Sequence, residues 1–328
     1  MKKRFIALSF VSALALTACG TKKYSPSDYI LTMDYRNDFK ILQLTDLHIG
    51  DKDNQDVQYK FLDILYEDAN NPDMVVITGD LFTFASKATA ERLFKYLDSK
   101  EIPWTVVFGN HDEQCYFSVE WMTGRLNELS KSDKSKCLFK DIQDDNIQGN
   151  CNFVINLMDG NNIHDQLFLI DSNRYNFAGY FGYDKIKDNQ VKWYEEMVNY
   201  TKEQNGGVVV PSLMFYHIPL PEINDAVEKG EVLMGEKREK SCPADINPNE
   251  PDLFEKVVEL GSTKSMIFGH DHINDIIVKY QGVDFAYGVK STDRIYHDED
   301  MLGATTITIK NDHSLEYRQF FHTYEEVK

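Results

Sequence analysis

The chain has 328 residues, 35 Lys+Arg against 53 Asp+Glu for a net charge of −18, and 42% hydrophobic residues. With 20 Phe, 18 Tyr and 3 Trp it has ample surface to bury, which excludes a disordered chain. The acidity excludes a general electrostatic attraction for nucleic acid or anionic lipid, so any polyanion must be held by a local cation. A bound metal would serve.

Met1-Lys2-Lys3-Arg4 is a basic start, followed by an apolar run from Phe5 to Ala18. Fourteen helical residues rise about 21 Å, short of a hydrocarbon thickness of ~30 Å, so the run reads as a signal-peptide core. It ends Leu16-Thr17-Ala18-Cys19-Gly20, which resembles the lipobox of bacterial lipoproteins. The resemblance implies a signal peptide over 1–18 and acylation of Cys19 as the mature N-terminus. It also implies a lipid-anchored tether over 19–37 and an extracytoplasmic, membrane-anchored lipoprotein, with contact to membrane through the anchor only. The alternative is an ordinary secretory signal cleaved near Ala18. Either way Lys2, Lys3 and Arg4 are lost, taking the net charge from −18 to −21.

Residues 38–328 carry no repeat or long linker and read as one domain. Phe39–Thr45, Met74–Thr78 and Trp104–Phe108 are apolar runs of buried-strand length. Between them lie helical patterns, one opened by Asn54 with Val57, Phe61, Leu62 and Leu65, the next by Ser86 ahead of Leu93, Phe94 and Leu97. Cys115, Cys137, Cys151 and Cys242 allow three pairings in an exported chain. A hairpin of 138–140 with 152–154 would bring Cys137 to Cys151; free buried thiols are the alternative. Leu167–Ile170, Val208–Tyr216 and Ser265–Phe268 read as further strands, with a helix from Asp188. Thr305–Lys310 and Leu315–Phe320 alternate like a hairpin. The expected fold class is α/β, a two-sheet mixed β-sandwich flanked by helices.

Each apolar strand is followed by polar chemistry. The strand ends read Asp46-Leu47-His48, Gly79-Asp80, Gly109-Asn110-His111-Asp112, Tyr216-His217 and Gly269-His270-Asp271-His272. Carboxyl ends of strands in α/β sheets face a common crevice, so five of them would deliver Asp, Asn and His to one place. His-x-His alternates along an extended segment, which lets both rings face one way. Alone, each motif is as well explained by turn chemistry. Together they are not.

This set resembles the calcineurin-like metallophosphoesterases. Phe39–Gly50, Gly182–Trp193, Phe215–Glu222 and Gly269–Asp275 further resemble the purple-acid-phosphatase-like branch of plants and fungi. The resemblance implies a dinuclear site: Asp46, His48, Asp80 and His272 holding one metal, and Asp80, Asn110, His217 and His270 the other, with Asp80 bridging. Imidazole and carboxylate without thiolate suit Mn, Zn, Fe or Ni. It implies hydrolysis of phosphate mono- or diesters by a metal-bridging hydroxide, with His111 contacting the phosphoryl group and Asp112 orienting His111. The substrate would be a small phosphate ester or a lipid or cell-wall phosphodiester; nucleic acid and a protein partner are not expected. A non-catalytic metal- or phosphate-binding lipoprotein is the alternative. The branch's tyrosine ligand is replaced by Thr83. His164, His313 and His322 read as isolated surface side chains, His297 as a candidate lining of the cleft and Glu228–Lys240 as a candidate rim.

Overall fold

A computed structural model describes residues 24–176, 182–245 and 252–327. The signal peptide over 1–18 and Cys19 lie outside these residues. The first strand, β1 (Ile30–Asp34), corrects the tether reading. It pairs in parallel with a later strand, Ile30 opposite Val154 through Asp34 opposite Met158. Tyr29 just before it is buried and meets the Trp193 ring edge-on at 5.6 Å. Residues 30–34 therefore belong to the domain.

The apolar runs fold as expected into β2 (Phe39–Leu44), β3 (Met74–Thr78) and β4 (Trp104–Val107), alternating with α1 (Gln55–Ala69) and α2 (Lys87–Ser99). These three strands are mostly apolar because both faces are covered. The Ser86 hydroxyl caps α2, accepting the Thr89 N–H. Asn54 stands at the start of α1, but its side chain makes no cap bond. After α3 (Val119–Ser130) come β5 (Phe153–Asp159), β6 (Asn162–Leu169) and a two-stranded ribbon, β7 (Tyr175–Asn176) with β8 (Gly182–Tyr183). Then follow α4 (Asp188–Gln204), β9 (Ser212–Phe215), α5 (Ile223–Lys229), β10 (Glu231–Met234) and α6 (Leu253–Leu260). The chain closes with β11 (Thr263–Phe268), β12 (Ile277–Tyr280), β13 (Val283–Tyr287) and the hairpin β14 (Leu302–Ile309) and β15 (Leu315–His322).

The strands form two mixed sheets, ordered β15-β14-β2-β3-β4 and β1-β5-β6-β9-β11-β13-β12-β10. Period-two alternation sorts the larger sheet's side chains. Phe153, Ile155, Leu167, Leu169, Leu213, Phe215, Ile267 and Ala286 join one core with the smaller sheet. Their neighbours Val154, Phe168, Met214, Met266 and Phe285 join a second core with Val191, Tyr194 and Met197 of α4 and Phe254 and Val257 of α6. The architecture is the expected helix-flanked sandwich in one domain.

The proposed Cys137–Cys151 hairpin does not form. Cys137 bridges to Trp104, while the strand after Cys151 pairs with β1 and β6. All four described cysteines are free thiols, with Cys137 and Cys151 buried.

Candidate metal centre

In each sheet, neighbouring parallel strands point their carboxyl ends the same way, β2-β3-β4 in one and β9-β11 in the other. Bonds cross between the sheets at that end. The His217 Nδ1 lies 2.8 Å from the Thr78 carbonyl, and the His270 N–H donates to Asp46 Oδ2 at 3.1 Å. Gln43 on β2 donates to the Phe268 carbonyl on β11.

The predicted ligands meet there. Asp46, His48, Asp80 and His272 each bring one ligand atom within 4.8 Å of the others, and so do Asp80, His217 and His270. Asp80 belongs to both groups: its Oδ2 lies 3.2 Å from His217 Nε2 and 3.7 Å from His48 Nε2. Asn110 is buried beside them, since the next backbone N–H, of His111, donates to Asp80 Oδ1 at 2.8 Å. The Asn110 amide nitrogen is held by the Tyr175 hydroxyl at 2.9 Å, which leaves its oxygen as the available donor atom.

The donor set fits two divalent metal ions. Asp46 Oδ1, Asn110 Oδ1, His217 Nε2 and His270 Nε2 are buried polar atoms without a hydrogen-bond partner. Such orphans are costly unless something binds them. Moreover, His272 Nδ1 donates to the Tyr296 carbonyl at 2.7 Å and His217 Nδ1 to that of Thr78. A carbonyl only accepts, so in the neutral imidazoles Nε2 keeps its lone pair, the arrangement of a metal-ligating histidine. The His272 and His48 Nε2 atoms then face each other at 3.1 Å, a separation that an intervening cation favours.

The backbone is bent to allow this. Asp46, His48, Asp80 and His270 all have φ between 46° and 79°, in the left-handed region that costs non-glycine residues energy. A Cβ on Gly79, itself at φ 89°, would meet the His217 ring at 2.5 Å, and one on Gly109 would meet Asp80 Oδ1 at 2.2 Å. The motif glycines therefore make room for ligands, beyond serving turns.

Electrostatics set the protonation states. Burial pushes the Asp80 and Asp46 carboxyls up, but the histidines around them hold both well below the usual carboxylate range. Burial drives His48 down, and drives His270 down to about 3. His217 differs: burial lowers it, yet the charge of Asp80, whose Oδ2 lies 3.2 Å from Nε2, carries it up to about 10, so metal binding must displace its proton.

Other expectations change. Asp112 does not orient His111. Its Oδ1 accepts the Phe82 N–H at 3.0 Å and its Oδ2 the Gly109 N–H at 2.8 Å, tying together the loops after β3 and β4. Burial and the Asp80 charge raise its carboxyl to about 8. The His111 Nδ1 is held instead by Gln114 Oε1 at 2.9 Å, and its ring stands edge-on to His48 at 5.0 Å. Thr83, at the position of the absent tyrosine ligand, places its hydroxyl 2.9 Å from His48 Nδ1. His297 bonds within its own loop to Ile295, while Tyr296 stacks on His272 at 4.2 Å. From the charged segment, Glu239 accepts the Ile273 N–H and Arg238 pairs with Asp275, so its end borders the last ligand loop. Tyr183 meets His270 edge-on at 4.2 Å. His322 is paired with Asp68 and Glu326.

One cation escaped the sequence reading. Lys290, after β13, is buried and its Nζ donates to the Asp46 carbonyl at 2.8 Å. Burial lowers its pKa to about 8 against the pull of Asp46 and Asp80. It offsets part of the carboxylate charge beneath the site.

Comparison with known proteins agrees with this geometry. The family model described as calcineurin-like phosphoesterase matches residues 39–274. Among curated relatives, "Probable inactive purple acid phosphatase 14" of Arabidopsis thaliana is 26% identical over 87% of this chain and 79% of its own length. "Phosphatase DCR2" of Saccharomyces cerevisiae is 27% identical over 74% of this chain, which spans 45% of that protein. Among solved structures, a dimetal phosphatase from Danio rerio shares the fold at TM-score 0.53 and 14% identity, over 88% of this chain and all of that one. The chain belongs to the calcineurin-like phosphoesterase family and is a hydrolase of phosphoric ester bonds.

Proposed function

We propose that this protein is an exported, lipid-anchored phosphoesterase that hydrolyses small phosphate mono- or diesters with Mn, Zn, Fe or Ni at a dinuclear site. The observation that carries the chemistry is the set of four orphaned donor atoms around Asp80, a carboxylate common to both ligand groups. The address rests on Cys19 in its lipobox-like setting after the apolar run from Phe5 to Ala18.

Asp46, His48, Asp80 and His272 would hold one ion, and Asp80, Asn110, His217 and His270 the other. When bound, two such ions supply Lewis-acid polarisation of the phosphate and of the attacking water. The chain's own residues do the rest. His111 is half-buried, and with Nδ1–H given to Gln114 Oε1 its Nε2 is the nitrogen left to face the phosphoryl group; as the imidazolium it would carry a second proton there to pass to the leaving oxygen. Tyr175 keeps the Asn110 oxygen aimed as a donor. Tyr183 and Tyr296 wall the two ends with ring surface against His270 and His272.

Three Arabidopsis thaliana relatives carry "probable inactive" in their names. A complete ligand set with His111 beside it supports turnover here over a binding-only role. The test is hydrolysis of p-nitrophenyl phosphate and bis-p-nitrophenyl phosphate by wild type and His111→Ala. The expected result is a loss on the order of 10²–10⁴-fold in the variant with its metal content unchanged. Equal and negligible rates in both would replace the reading with that of a metal- or phosphate-binding lipoprotein.

A further inference from the structure

A second cluster of metal-ligating side chains lies away from this centre. His164 and Asp165 on β6 and His313 in the β14–β15 turn bring one ligand atom each within 4.8 Å of the others. His164 Nδ1 is bonded to Asp165 Oδ2, and His313 Nδ1 lies 3.0 Å from the same oxygen. Both expectations of isolated histidines are thereby corrected.

Consecutive residues on a strand normally point to opposite faces. Here the pairing shifts: Met158 lies opposite Ile163 and Leu157 opposite Asp165, which makes His164 an extra residue in a β-bulge. A bulge breaks the alternation and re-aims a side chain. On the other side, His313 sits at φ 64°, in the left-handed region that few residues other than glycine adopt. Its turn is closed by the Lys310 N–H to the Ser314 carbonyl and the His313 N–H to that of Lys310. Two independent departures from regular backbone thus converge on one carboxylate oxygen.

The rest of the cluster is walled. Tyr35 stacks on the His164 ring at 3.6 Å, and its hydroxyl lies 3.1 Å from Asn311 Oδ1 and 3.2 Å from the Ile309 carbonyl. Asp165 is 1% exposed and His164 11%, whereas His313 is 40% exposed, so one side is open to solvent. The registers also locate it. Ile309 pairs with Phe39, the first residue of β2, and Gln166 with Ser212, the first of β9. The cluster therefore lies at the amino ends of the strands whose carboxyl ends carry the catalytic ligands, about 20 Å away along the strands.

We propose that His164, Asp165 and His313 form a second metal site, which takes one divalent transition ion of the zinc class. Two imidazoles and one carboxylate suit Zn, Ni, Cu or Co, and disfavour Ca and Mg, which prefer all-oxygen shells. Zn–N bonds of ~2.0–2.1 Å imply donor atoms about 3.3 Å apart in a tetrahedron, close to the spacing of His313 Nδ1 and the carboxylate. Water completes the shell from the open His313 side, and each ligating imidazole carries its proton on Nε2. The ion staples the larger sheet to the hairpin of the smaller one, at the end opposite the catalytic centre.

The test counts metal on the chain. Wild type, His313→Gln, His164→Gln and Asp80→Asn are stripped with chelator, loaded with Zn²⁺, desalted and measured by plasma mass spectrometry. Each histidine variant is expected to hold one ion fewer than wild type, with p-nitrophenyl phosphate hydrolysis unchanged and the zinc-dependent rise in melting temperature reduced. Asp80→Asn is expected to lose catalytic zinc but keep the ion at this cluster. Equal zinc in wild type and both active histidine variants would overturn the proposal and leave a metal-free His–Asp–His ion cluster. Two variants guard against misfolding of either one, and retained hydrolysis reports the fold.

Discussion

At the scale of single residues, the site divides into atoms suited to hold metal and atoms that hold those atoms. The ligands were legible in the sequence because Asp, Asn and His after apolar strands can only gather at strand ends. Their supports were not legible. Asp112 stands next to His111 in the chain, yet its oxygens are taken by the N–H groups of Phe82 and Gly109. Lys290 lies 244 residues from the carbonyl it bonds. Such pairings depend on the finished fold. They also predict different phenotypes for neighbours. Asp112→Ala leaves two buried N–H groups unpaired, at ~1–3 kcal/mol each, and should lower the melting temperature clearly. Gln114→Ala should leave it unchanged while lowering kcat roughly 10- to 100-fold, as losing an orienting bond does. Thermal melts and kinetics on both variants check this; a destabilised Gln114→Ala with normal kcat would contradict the assignment.

At the scale of elements, strands with both faces covered announced themselves as apolar runs, and the terminal hairpin by its alternation. β1 did not, because Ile30–Asp34 alternates between half-buried and exposed and its partner β5 lies far along the chain. A soluble form beginning at residue 24 should therefore melt well above one beginning at residue 38, which lacks β1 and exposes the β5 edge. Equal melting temperatures would mean that residues 24–37 contribute nothing to the domain. A pH effect belongs to α5 and α6. Glu222, at the start of α5, is raised to about 8 by burial and by Asp252, which caps α6. A carboxyl raised in the folded state favours folding below its ordinary value of 4.5 and withdraws that support as pH rises through about 8. Glu222→Gln should thus gain stability over wild type as pH climbs from 4.5 to 9, read as the difference between their melting temperatures. A difference that does not grow with pH would exclude a raised Glu222 carboxyl.

At the scale of the molecule, two sheets meet over one core and are tied at the carboxyl ends of the strands by the ligand loops. Each sheet alone supplies half of the site: β2, β3 and β4 bring Asp46, His48, Asp80 and Asn110, while β9 and β11 bring His217, His270 and His272. On the proposed function, activity is therefore a report on the whole sandwich, and metals held there would let an acidic chain handle an anionic ester. The most direct measurement is hydrolysis of p-nitrophenyl phosphate by the metal-stripped soluble chain as Mn²⁺ or Zn²⁺ is added back, with bound metal counted in parallel for wild type and Asp80→Ala. The expected result is no turnover without metal, full turnover once both ions at the centre are bound, and a loss of at least about 100-fold in the variant. Undiminished hydrolysis by the stripped chain, or by Asp80→Ala, would contradict it.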